Sequence, residues 1–143
     1  MRSLSGRTVI GWSLVLHGLA HGLLASSPRP DVPGSAPWTV FTTHSWALSA
    51  VGTGPDAAAQ GLVGIILLLA AAAGFILTGL AVISLRGRSS LWHWMSLGTA
   101  IVSVALLVLF WHPLMGPGLV IDAIVIGGAT LEWKLVKEIG SSQ

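Results

Sequence analysis

The stretch GLVGIILLLAAAAGFILTGLAVISL, from Gly61 to Leu85, runs for 25 residues without a charged side chain, and its reading decides the fold. A helix needs about 20 predominantly apolar residues to cross the hydrocarbon core of a bilayer, so this segment is long enough to span one. Leu91 to Trp111 and Gly116 to Trp133 meet the same requirement. Thr8 to Ala25 is less apolar because it holds His17 and His21, yet it is long enough and otherwise rich in Leu, Val and Ile. A cleaved signal peptide is the competing reading of this first segment, with Arg2 and Arg7 as its basic start and Ala25-Ser26-Ser27 as the cleavage site. Its apolar region exceeds the roughly 7–15 residues of a signal core, and two histidines inside one would be unusual. The expectation is an all-α integral membrane four-helix bundle forming one transmembrane domain over residues 1–143, with helices near 8–25, 61–85, 91–111 and 116–133.

Composition points the same way. Hydrophobic residues make up 53% of the chain and charged residues 8%, with a mean hydropathy of +0.83, whereas a soluble domain carries about 25% charged residues. The net charge of +2 is no basic patch, so nucleic acid is not an expected partner. There is no cysteine, which excludes disulfides, thiolate metal sites and thiol catalysis. Any metal would rest on His and carboxylate.

Orientation follows from the basic residues. Arg2 and Arg7 precede the first helix, Arg86 and Arg88 separate the second from the third, and Lys134 and Lys137 follow the fourth; the other two connections hold only Arg29. The excess of Lys and Arg on cytoplasmic loops then places both termini and the Arg86/Arg88 loop in the cytoplasm of a cell whose inner membrane holds the protein. Trp92, Trp94, Trp111 and Trp133 fall at predicted helix ends, where interfacial aromatic anchors sit. The outer connection, residues 26–60, is broken by Pro28, Pro30, Pro33 and Pro37 and by Gly52, Gly54 and Pro55. Between them, Trp38 to Ala50 suits a short helix lying in the outer interface.

Lipid supplies no hydrophobic drive between helices, so packing depends on small residues. The first helix offers Gly18 and Gly22, the second Ala70 to Gly74 followed by Thr78, the third Ser96, Thr99 and Ser103, and the fourth Ala123 and Gly127.

Ionisable groups inside a membrane are costly unless they face protein or water. At about 1.5 Å of rise per residue, His17, His21 and Asp122 fall in the outer half, His44 and His112 lie at or beyond its edge, and His93 stands alone at the inner face. His17 and His21 are spaced i, i+4 and share a helix face, so they are candidate ligands of one metal ion with Asp122 as third ligand. The Glu of a zinc-protease motif is absent between them, where Gly18, Leu19 and Ala20 stand. A haem would need histidines from facing directions, such as His17 and His112. The structural alternative is that each imidazole hydrogen-bonds Asp122, a serine or a carbonyl of a neighbouring helix; His21 and Asp122 are expected to face each other between the first and fourth helices. No serine-hydrolase elbow, P-loop or dinucleotide fingerprint is present.

The segment His17-Gly-Leu-Ala-His21-Gly, the long outer loop, and Phe110-Trp-His-Pro followed by Gly118-Leu-Val-Ile-Asp122 resemble small four-helix bacterial membrane proteins, and the plan is similar to the DoxX-like superfamily. That resemblance implies a four-helix membrane fold, with quinone-coupled sulfur oxidation or redox defence as activities of some members. Gln60 stands where those proteins carry an acidic residue. The leading functional expectation is an accessory or ligand-binding bundle, with the bilayer, a membrane subunit or a second copy as partners. The runner-up is a metal-, haem- or quinone-linked redox protein using the outer-half histidines and Asp122. A small transporter comes third, since one protomer has little room for alternating access.

Overall fold

The fold is described from a computed structural model covering residues 6–26, 45–50, 56–84, 91–111 and 115–141, with side chains described except at 24–26, 57, 91 and 132–141. Among these residues there are five helices and no strand: α1 Gly6–Ser26, α2 Trp46–Ala50, α3 Ala57–Ser84, α4 Leu91–Leu109 and α5 Gly116–Ser141.

Local chemistry sets several ends. Asp56 caps α3, its carboxylate accepting from the Ala59 amide at 2.8 Å, which satisfies one of the orphan donors of the first turn. Cap and first turn together start α3 four residues before the expected Gly61. At the other end of α3, Arg7 of α1 donates to the Val82 carbonyl at 2.7 Å, an acceptor that the ending helix leaves free. Pro117 sits in the first turn of α5, where its missing N–H is harmless. The α5 helix continues to Ser141, well beyond Trp133, because nothing after Trp133 breaks a helix until the glycine at 140. The α4 helix ends at Leu109 rather than Trp111, with a last bond from the Phe110 amide to the Leu106 carbonyl at 2.9 Å.

Each long helix packs chiefly on its neighbour: α1 on α3, α3 on α4, and α4 on α5, while α2 rests on α4. The α1/α3 contact is the closest, and glycine makes it so. A Cβ on Gly11 would lie 2.8 Å from the Gly79 carbonyl oxygen, one on Gly79 would run into the Gly11 carbonyl, and one on Gly18 would lie 2.7 Å from the Ala72 carbonyl. The working pair on α1 is therefore Gly11 with Gly18, two turns apart on one stripe. The expected partner Gly22 has nothing within 4 Å of its Cβ position, and the same holds for Gly127 on α5. Ala71, Ala72 and Thr78 of α3 and Ser96, Thr99 and Ser103 of α4 are buried, and Gly74 sits directly against Thr99.

Two apolar clusters fill the interior. Leu14, Phe75, Val82 and Ala100 join α1, α3 and α4, with Trp92, Val125 and Ile126 against them. Leu68, Leu106 and Phe110 form the second, with Leu48 of α2 and Ile65, Leu67 and Leu109 around it. The α2 helix is fastened there by polar bonds: the Ser45 amide donates to Gln60 Oε1 at 2.9 Å, Ser45 Oγ to the Leu109 carbonyl at 2.6 Å, and Trp46 Nε1 to the Val108 carbonyl at 2.7 Å. Residues 38–44 of the expected interfacial helix lie outside the described residues.

The outward faces are apolar. Leu16, Leu23, Leu62, Ile66, Leu69, Leu77, Ile101, Val120 and Ile124 are all exposed, whereas Asp122 is completely buried. Among the described residues two helices are long and apolar enough to cross a membrane, over Ala58–Ser84 and Trp92–Leu109, and only 39% and 33% of their most apolar windows are buried. A core helix of a soluble domain would hide most of such a window.

Candidate functional site

Four helix hydroxyls here satisfy themselves locally. Ser13, Ser84, Ser96 and Thr130 each donate to a carbonyl four residues back, at 2.7–2.9 Å, the usual arrangement for such residues within helices. Ser103 and Thr78 do not follow this rule. Ser103 of α4 reaches across to His21 Nε2 of α1 at 3.1 Å, and Thr78 of α3 is fully buried with no partner for its hydroxyl.

Ser103 belongs to a polar layer that draws on all four long helices. His17 and His21 extend from α1, their rings 4.8 Å apart and edge to face. Phe75 of α3 lies between them and the apolar core: it stacks parallel to His21 at 5.9 Å and meets His17 edge-on at 4.6 Å. From α5, Asp122 places Oδ1 3.4 Å from His17 Nε2. A carboxylate can only accept, so this pair puts the proton on His17 Nε2. At 3.4 Å the contact is longer than the ~2.7–2.9 Å of a tight charge-assisted bond.

His17, not His21, is thus the partner of Asp122. Side chains four residues apart on a helix differ by about 40° in azimuth, enough to send them to different neighbours. His21 turns to α4 and Ser103, which leaves His17 to face α5. The same divergence bears on the expected metal centre of His17, His21 and Asp122. The two Nε2 atoms are engaged by different groups, and among the described residues no set of three His, Asp or Glu side chains is arranged to hold one metal ion. His44 and His112 lie outside the described residues. His93 is buried near the other end of the assembly, between the rings of Trp92 and Trp94.

The layer is incompletely satisfied. His21 Nδ1 and Asp122 Oδ2 are buried and have no partner. For His21 either tautomer leaves a deficit: if Ser103 donates to Nε2, the Nδ1–H lacks an acceptor, and if Nε2–H donates to Ser103, the Nδ1 lone pair lacks a donor. Leaving such an atom bare in the interior costs about 1–3 kcal/mol, and native proteins rarely accept two in one layer without a use for them.

Sequence reasoning placed Ser103 on a packing stripe and gave Phe75 no role. The signal for Phe75 was its isolation, one aromatic ring between Gly74 and Thr78 in a run of small residues. Gln60 was noted for a missing charge, whereas its side chain accepts from Ser45 and from the Ser49 hydroxyl, the latter at 3.3 Å, to hold α2 in place. Compared with known proteins, the chain matches no protein family, no curated protein and no solved structure.

Proposed function

We propose that this is a multi-pass protein of a bacterial inner membrane, a bundle of four spanning helices with both termini in the cytoplasm, that acts as an accessory or ligand-binding protein rather than a catalyst. The inverted polarity supports the membrane reading: charge lies inside at Asp122, and Leu, Ile and Val lie outside on every long helix. In water those faces would form an apolar patch far larger than a monomer tolerates, whereas in lipid they meet their own kind. The positive-inside asymmetry of Arg2, Arg7, Arg86, Arg88, Lys134 and Lys137 supports the orientation.

One observation carries the binding reading, the pair of unpartnered buried atoms His21 Nδ1 and Asp122 Oδ2 within a single polar layer. A layer that served only to fix helix register would be expected to close its own hydrogen bonds, because hydrocarbon offers no substitute partner. This one holds two valences open for a small polar or amphipathic ligand. The test is native mass spectrometry of the protein extracted in mild detergent. The expected result is a bound molecule whose occupancy falls in His21→Phe and Asp122→Leu while both variants remain folded by circular dichroism. Protein that carries no molecule, or one that both variants retain in full, would contradict the reading.

A further inference from the structure

The open valences restrict the head group of a ligand. Asp122 Oδ2 can only accept, so the head must donate; an anionic head would instead meet the Asp122 charge in a medium that screens it poorly. With Ser103 donating to His21 Nε2, Nδ1–H seeks an acceptor. A hydroxyl does both, donating its hydrogen to a carboxylate and offering lone pairs to an N–H.

The seams between helices restrict the way in. Backbones meet closely along α1/α3, Gly74 of α3 lies against the Thr99 side chain of α4, and Gly118 of α5 lies against Leu107 of α4. The α1/α5 seam is different. These two helices are bridged at the layer by His17 and Asp122, and toward the Arg7 end Val125 and Ile126 close on the cluster that contains Leu14. Toward the α2 end, the positions flanking the bridge on the same faces are Ala20, three residues after His17, and Leu119, three residues before Asp122. Ala20 is exposed and Leu119 half-exposed, so the side chain at the lipid-facing edge of the layer on α1 is a small one.

We infer that the layer takes the hydroxyl head of a neutral, single-chain amphipathic molecule that enters from the bilayer between Ala20 of α1 and Leu119 of α5. This inference rests on the reading of the layer as a binding site. The head hydrogen-bonds Asp122 Oδ2 and His21 Nδ1, and the chain lies along the apolar α1/α5 seam.

The test uses hexadecanol carrying a diazirine in its chain, with the full-length protein in lipid nanodiscs. Photolabelling is expected on α1 and α5 beside the layer. It should fall about tenfold in Ala20→Phe, the change in occupancy that corresponds to loss of roughly one such contact, because a ring there fills the entrance without entering the core. Ala70→Phe is the control: Ala70 is also exposed and lies at similar depth on α3, and labelling should be unchanged. Unlabelled hexadecanol should compete, and hexadecanoic acid should not. Unchanged labelling in Ala20→Phe, or equal competition by the acid, overturns the inference. Labelling only by an acid or amine probe overturns the hydroxyl assignment and leaves the binding reading standing. Labelling no stronger than that of a headless diazirine alkane overturns both.

Discussion

Thr78 states the residue-scale argument in its simplest form. Its hydroxyl is buried without a partner, so Thr78→Val removes an unsatisfied group and keeps the shape. Stability should be unchanged or raised by up to about 1 kcal/mol, read from thermal unfolding in detergent; a clear loss would show that the hydroxyl has a partner. Asp122 makes the opposite case. Asp122→Asn keeps an acceptor for His17, whereas Asp122→Leu leaves the imidazole N–H bare in the interior, so the Leu variant should be the less stable by about 1–2 kcal/mol. In a His17→Phe background that difference should disappear, as a double-mutant cycle would show; if it persists, Asp122 is held by something other than His17. That His17, His21 and Asp122 are polar outliers in apolar segments was legible from the sequence, since any ionisable group there stands out. Which histidine meets the carboxylate was not legible, because the choice turns on a rotation of about 40° and on Ser103, a residue that reads equally well as packing.

At the scale of elements, the α1/α3 contact depends on Gly11, Gly18 and Gly79. Gly79→Val should destabilise the protein by about 1–3 kcal/mol, the usual range for overpacking, since its Cβ would press on the backbone of Gly11 and of Val15 as well as on the Val15 side chain. Gly22→Ala should be neutral, because nothing lies within 4 Å of the new atom. Unfolding midpoints of the two variants compared with the parent check this, and equal effects would contradict the packing described. The GxxxG spacing of Gly18 and Gly22 favoured the wrong partner. Three glycines of α1 fit helical spacings, and only the position of α3 decides which of them it covers. The long apolar segments were legible because their length and lack of charge need no partner to interpret. The start of α3 at Ala57 depended on the Asp56 cap, and the full length of α5 on the absence of a helix breaker, signals that hydropathy does not weigh.

For the molecule as a whole, the central claim is that four helices cross a bilayer and enclose the His17, His21, Ser103 and Asp122 layer within it. The all-helical architecture and two spanning-length helices are plain in both sequence and structure. The number of crossings and their direction rest on where Arg and Lys fall, a pattern that acts during insertion and leaves no contact to observe. Because the chain has no cysteine, single cysteines report topology without background. Gly34→Cys, Gly87→Cys and Gln143→Cys should each be probed in intact cells with a membrane-impermeant maleimide. The account predicts labelling of Gly34→Cys at once, and of Gly87→Cys and Gln143→Cys only after the membrane is permeabilised. Labelling of Gln143→Cys or Gly87→Cys in intact cells, or recovery of the protein in the soluble fraction, would contradict it.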